Sequence, residues 1–242
     1  MAELHAQSYA VDGPGFYFDN EVEYDRQIEQ LAKRGYEEFE IQFIDGDSED
    51  AELFSALKIS QGEVGRWFDD VEPLDTQEKA TLFYLADHGY GLDESLRLLR
   101  DGDRTASQGS MVDYVYEYLD DIGGAAELGE ETLQTYFDYE AFGRDISLSG
   151  DATSGLQDDA EYAREHGDEE EAERLEAEIE RIDGLSNREL GEETVESLGW
   201  DGVGDQNLTQ YFDHEKFARD LVLGGDRLEF EFAGETWTAP NY

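Results

Sequence analysis

A chain of 242 residues with 63 acidic against 17 basic side chains carries a formal charge of −46. Such a charge repels nucleic acid and anionic membrane, so a partner recognised through it presents a positive surface, and the absence of cysteine removes disulfides, thiolate metal sites and cysteine nucleophiles. With 38% hydrophobic and 12% aromatic residues the chain has the side chains to build cores, which excludes wholesale disorder.

Residues 4–10 and 16–19 read as two strands joined by Asp12-Gly13-Pro14-Gly15, whose glycines and proline suit a tight turn. Over 21–34 the apolar residues Val22, Tyr24, Ile28 and Leu31 recur at helical spacing, and Gly35 ends the helix. Phe39, Ile41 and Phe43 then alternate with Glu38, Glu40 and Gln42, the period of a half-buried strand. The result is a ββαβ domain over residues 1–48. One helix covers one sheet face, so the other face is expected to be solvated and acidic. Residues 49–75 read as a helical connector with two short amphipathic stretches, Leu53, Phe54, Leu57 and Ile59, then Val64, Trp67 and Phe68, before Pro73 breaks the chain.

The remainder contains related segments. Tyr136-Phe137-Asp138-Tyr139-Glu140-Ala141-Phe142-Gly143-Arg144-Asp145 returns 75 positions later as Tyr211-Phe212-Asp213-His214-Glu215-Lys216-Phe217-Ala218-Arg219-Asp220, and the shared pattern Y-F-D-x-E-x-F-x-R-D-x-x-L-x-G-D runs on to Asp151 and Asp226. Upstream, Tyr84 with His88-Gly89 is echoed by Tyr162 with His166-Gly167. Two tandem, mostly helical modules follow, over residues 76–151 and 152–242, each running helix, His-Gly, helix, loop, helix and signature. Tyr136, Phe137, Phe142 and Leu148 are spaced to pack inward around a short helix that Asp138 caps, and Tyr211, Phe212, Phe217 and Asp213 repeat the arrangement. Arg144 and Arg219 are expected to pair with neighbouring carboxylates rather than grip a ligand. Residues 228–232 and 236–238 around Gly234 read as a closing hairpin, and 152–159 as a connector. The fold class is α+β, elongated and multi-domain.

The search for chemistry finds no catalytic residue, metal site or cofactor motif. Of the four histidines, His5, His88, His166 and His214, the second and third each precede a glycine at a helix end, where capping and the helix dipole favour them. His214 is Tyr139 in the related segment, so it is no shared catalytic group. Asp45-Gly46-Asp47-Ser48-Glu49-Asp50 and Asp101-Gly102-Asp103 resemble the opening of a calcium loop, but the sixth position is not glycine and the twelfth is Ala56 or Val112. No phosphate-binding loop, dinucleotide fingerprint, nucleophile elbow or H-E-x-x-H is present.

The surface is the remaining candidate. Each strand of duplex DNA carries a phosphate per ~3.4 Å, and a half-acidic helix rising ~1.5 Å per residue shows a carboxylate per ~3 Å. Residues 161–180 fit, with Glu165, Asp168, Glu169, Glu170, Glu171, Glu173, Glu176 and Glu178 outside a narrow apolar stripe of Ala172, Leu175, Ile179 and Ile182. Acidic edges recur at Asp69, Asp70, Glu72 and Asp75, at Asp93 and Glu94, and at Asp113, Glu117, Asp120 and Asp121. The plain alternatives are a solvated helix face and salt adaptation, the latter matching four lysines against thirteen arginines.

The segment 211–226 with the strand after it resembles the C-terminal part of ArdA-type antirestriction proteins. Residues 83–151, with His88-Gly89, Leu92-Asp93-Glu94-Ser95-Leu96 and 111–121, are similar to that family's middle and end, and the ββαβ segment suits its first domain. The resemblance implies an elongated, dimeric mimic of bent B-form DNA that blocks the DNA groove of type I restriction-modification enzymes, without catalytic residues or cofactors, binding neither nucleic acid nor membrane. Family members carry one such C-terminal module and this chain two, so the extra module either lengthens the mimic or takes a second subunit's place in a monomer. Two other readings stay open: an acidic regulatory protein sequestering another basic partner, such as a nucleoid protein, recombinase or CRISPR effector, and a salt-adapted enzyme. No run approaches the ~20 apolar residues of a membrane span, and the opening residues lack the features of a signal peptide, so a cytoplasmic location is expected.

Overall fold

In the computed structural model, which describes residues 2–102 and 104–241, the chain forms two units: Met1–Tyr114 with Asp220–Tyr242, and Val115–Arg219. Asp103, in the second calcium-loop candidate, lies outside the described residues.

In the first unit, strands β1 (Glu3–Ser8), β2 (Gly15–Phe18) and β3 (Phe39–Asp45) form an antiparallel sheet in the order β2-β1-β3. Their register puts Leu4 opposite Phe18 and Phe43, and Ala6 opposite Phe16 and Ile41, so one face is apolar. Helix α1 (Glu21–Ala32) starts at Asn20, whose side chain accepts the Glu23 N–H at 2.8 Å. Helix α2 (Ser48–Leu57) and the short α3 (Val64–Arg66), which runs into a π turn at Trp67–Val71, pack on the apolar side. There Trp67 is fully buried, its ring 5.0 Å from Phe54 and 6.4 Å from Phe43. The opposite face is solvated, as the alternation predicts, but its acids are mixed with neutral groups: Glu3, Glu40 and Asp45 stand among His5, Gln7, Tyr17 and Gln42. Like charges directly opposite one another destabilise a ladder; the register pairs Glu40 with Gln7, and His5 with Tyr17 and Gln42, and sets Glu3 opposite Asp45 only at the strand end, beside a β-bulge.

Helix α4 (Thr76–Asp87) opens on a reciprocal capping box between Asp75 and Glu78, and α5 (Leu92–Asp101) follows. Strands β5 (Arg227–Phe232) and β6 (Glu235–Pro240) form the predicted hairpin, turning at Ala233-Gly234 with φ of 55° and 81°, the left-handed pair a two-residue hairpin loop requires. The two-residue β4 (Ser107–Gln108), which has no alternation to announce it, adds to β6 and gives a second sheet in the order β4-β6-β5. Phe232 and Trp237 share one continuous core with Leu4, Phe18, Trp67 and Leu85. Inside it, Lys79 is 5% exposed and Asp50 2%, and the Lys79 ammonium lies 2.8 Å from Asp50 Oδ1 and 3.1 Å from Glu49 Oε1.

The second unit is helical. Helix α6 (Met111–Ile122) runs into it, burying Val115 and Leu119. Then come α7 (Glu130–Tyr136), α8 (Tyr139–Ser149), α9 (Asp151–Glu165), α10 (Glu169–Asp183), α11 (Asn187–Val203, broken at Gly199 with φ 68°), α12 (Asp205–Gln210) and α13 (His214–Gly224), which runs out of it. Residues 152–159, expected to be a connector, are the first half of α9. Burial of Thr153, Ala160 and Ala163 on that helix, which packs along α10, overrides the weak helical preference of Thr153, Ser154 and Gly155. Leu148, expected inside, is 79% exposed, because α8 turns its Phe142 and Gly143 side toward α11. At that crossing a Cβ on Gly143 would overlap the Asn187 carbonyl oxygen, and one on Gly191 the Tyr139 carbonyl oxygen, so glycine alone permits the approach.

His214 is buried at the start of α13, its ring stacked 4.0 Å from Tyr116, and burial lowers its pKa against the opposing pull of the Phe212 carbonyl and Asp213. A histidine kept neutral in the native state leaves the unfolded chain to take up the proton first. Stability from this group is therefore complete above the unfolded value of ~6.5 and is lost as pH falls through the lower native value. His214→Phe is expected to flatten the decline of the urea midpoint between pH ~7 and ~5; an unchanged slope would rule out this histidine as its source.

Candidate acidic interface

The candidate carboxylates occupy helix edges because each helix has spent its apolar stripe on packing. In α10 that stripe is narrow: Ala172 and Leu175 are buried, Ile179 and Ile182 half-buried. Asp168 caps the helix, accepting the Glu171 N–H at 3.2 Å. Eight carboxylates lie along the 15 residues of α10, about one per 3 Å at the helical rise. Three of the named acids are held by arginines: Glu171 by Arg174 at 2.5 Å, Glu178 by Arg181 at 2.9 Å, and Glu176 by Arg164 of α9. Hydrogen bonds from Arg174 and Arg181 hold Glu171 and Glu178 below the usual carboxylate range. Arg181 also reaches Glu193 of α11 at 3.0 Å, so the acidic edge of α10 continues onto α11, where Glu192, Glu193 and Glu196 are exposed. Those three were not among the predicted residues, although their helical spacing after the Ser186 cap marks them in the sequence.

In the first unit Asp69 is exposed on the π turn, and Glu72 accepts the Ala2 N–H at 2.6 Å. Asp75 caps α4. Asp93 and Glu94 stand in the first turn of α5, where the helix dipole favours them. Arg66 joins Asp70 to Asp93, and Arg97 lies 3.6 Å from Glu94. On α6, Asp113 is exposed and accepts from the Ser110 hydroxyl and N–H, which holds its pKa below the ordinary value. Glu117, Asp120 and Asp121 project from the same helix into solvent within the second unit. Among the described residues, no cation pairs with Asp69, Glu117, Asp120, Asp121, Glu165, Glu169, Glu170 or Glu173, so no partner offsets these eight exposed carboxylates.

Most of the signature residues pack or cap. Phe137, Phe142 and Phe212 are buried, and Tyr136, Tyr211 and Phe217 half-buried. Asp138 and Asp213 accept the Ala141 and Lys216 N–H groups, each at 2.9 Å, as caps of α8 and α13. Arg144 pairs with Asp145 at 3.4 Å, while Arg219 is exposed and Asp220 half-buried on α13. His88 and His166 end α4 and α9: each Nδ1 meets the carbonyl four residues back, Tyr84 at 2.8 Å and Tyr162 at 2.9 Å, and Gly89 and Gly167 follow with φ of 87° and 77°. In the first calcium-loop candidate, Asp50 turns inward onto Lys79. Among the described residues no three histidines or carboxylates are grouped to hold a metal ion, and no helix is long and apolar enough to cross a membrane.

Fold and site together define an acidic α+β protein whose distinguishing chemistry is carried by carboxylates on helix edges. The family model described as Antirestriction protein (ArdA) matches residues 5–158, and the chain belongs to the ArdA antirestriction family. The match starts in β1 and ends in α9, taking in the first signature segment and leaving the second outside. No curated protein and no solved structure matches the chain.

Proposed function

We propose that this chain inhibits type I restriction-modification enzymes by occupying their DNA-binding groove, with carboxylates standing where phosphates stand. It acts by occupancy and catalyses nothing, and its partner is the enzyme rather than nucleic acid or membrane. The observation that carries the proposal is the spacing on α10, about one carboxylate per 3 Å against a phosphate per ~3.4 Å along a DNA strand. Membership of an antirestriction family supports the same target class.

The test is displacement of a fluorescent duplex from the methyltransferase core of a type I enzyme. The chain should displace the duplex, and its affinity should fall as salt rises, because ionic contacts are screened. The triple variant Glu169→Gln, Glu170→Gln, Glu173→Gln should compete roughly tenfold less well, as expected for the loss of a few phosphate-like contacts. Failure to displace duplex from this enzyme, with displacement from an unrelated basic DNA-binding protein, would transfer the function to sequestration of another partner.

A further inference from the structure

The two signature segments meet each other within the second unit. Phe137 and Phe212, at equivalent positions 75 residues apart, face each other in an isolated antiparallel bridge. The flanking hydrogen bonds are reciprocal: the Asp138 N–H donates to the Tyr211 carbonyl and the Asp213 N–H to the Tyr136 carbonyl, both at 2.7 Å. The rings follow the same exchange, with Tyr136 lying 5.8 Å from Phe212 and 4.9 Å from Phe217, and Tyr211 lying 6.0 Å from Phe137 and 5.2 Å from Phe142. The helices cross over as well. Tyr139, first residue of α8, packs its backbone against Gly191 of α11, while His214, first residue of α13, stacks on Tyr116 of α6. The first residue of each signature helix thus touches the long helix that precedes the other signature segment, through packing of α8 on α11 in one case and a single ring stack in the other.

Contacts in which i meets j while the equivalent of j meets the equivalent of i are the mark of a two-fold, self-complementary interface. Two unrelated segments packed together have no reason to match residue for residue. We infer that the Y-F-D segment is a docking surface whose partner is another copy of itself, that a duplicated module supplies both copies in one polypeptide, and that the chain is consequently a monomer. The inference stands independently of the enzyme proposed as target.

Sedimentation equilibrium of the full chain, in salt high enough to screen the acidic surfaces, should give the mass of one chain at low and high micromolar concentration. Phe212→Asp should release the first segment to pair with the same segment of another chain and double the mass, and adding Phe137→Asp should restore the single-chain mass. A wild-type dimer would overturn the inference, as would a folded Phe212→Asp variant that stays single. Should Phe212→Asp lose its helical circular dichroism, Phe212→Ala takes its place with the same two readings, and the wild-type mass decides independently of either variant.

Discussion

Gly191→Leu is expected to cost the Val115–Arg219 unit roughly 3 kcal/mol or more, lowering its unfolding midpoint in urea or removing its cooperative transition. A Cβ at this position meets the Tyr139 carbonyl oxygen, and one at Gly143 meets the Asn187 carbonyl, so the obstacle on both sides is backbone. Flexible side chains move aside at little cost; two helices in contact along their length must separate. Separation strips burial from Phe142 and Leu190 and withdraws Tyr139 from its place at the crossing. Gly155, on α9, supplies the control. No atom lies within 4 Å of its would-be Cβ, so Gly155→Ala should stabilise the helix by about 0.5–1 kcal/mol through the unfolded chain's lost freedom. Equal midpoints for wild type and Gly191→Leu would show that the crossing is looser than the glycines indicate.

Lys79→Met should destabilise the first unit by about 3–5 kcal/mol, because it leaves Asp50 charged and buried without its cation. The double variant Lys79→Met, Asp50→Leu should recover most of that loss, since an ion pair removed as a pair exposes no orphan charge. Burial by itself drags the Lys79 pKa down, but hydrogen bonding and attraction from Asp50 and Glu49 outweigh it and leave the ammonium above its ordinary value. A raised native value stabilises fully below the unfolded value of ~10.4, and that contribution is lost as pH rises through the native one. The alkaline decline in wild-type stability should therefore be shallower in the double variant. A Lys79→Met protein as stable as wild type would show that the buried pair contributes nothing to stability.

These two sites also show what the chain's pattern could and could not disclose. The ββαβ order was legible because strand and helix periods are local: Phe39, Ile41 and Phe43 alternate, and Tyr24, Ile28 and Leu31 step by a helical turn. The same local logic placed Asp138 as a cap and His88 and His166 at helix ends. It failed where a distant partner decides. Leu148 has the spacing of an inward residue, yet the face α8 presents is chosen by the glycine approach to α11. Residues 152–159 read as a linker from Thr, Ser and Gly content, and are helical because Ala160 and Ala163 are buried where α9 packs along α10. For the acidic surface, exposure followed from the apolar stripes, whereas the arginine links did not: Arg66 joins Asp70 to an aspartate 27 positions from itself, which no periodicity announces. The mutual pairing of the two Y-F-D segments was equally silent, since similarity between segments does not say that they touch.

The thin seam beneath α10 has a bearing on how such a protein changes over generations. With Ala172 and Leu175 alone buried along 15 residues, few positions on that helix are tied to packing. Substitutions there can shift the layout of anions while the body underneath stays intact, so the charge pattern of this helix can drift across a lineage at little cost in stability.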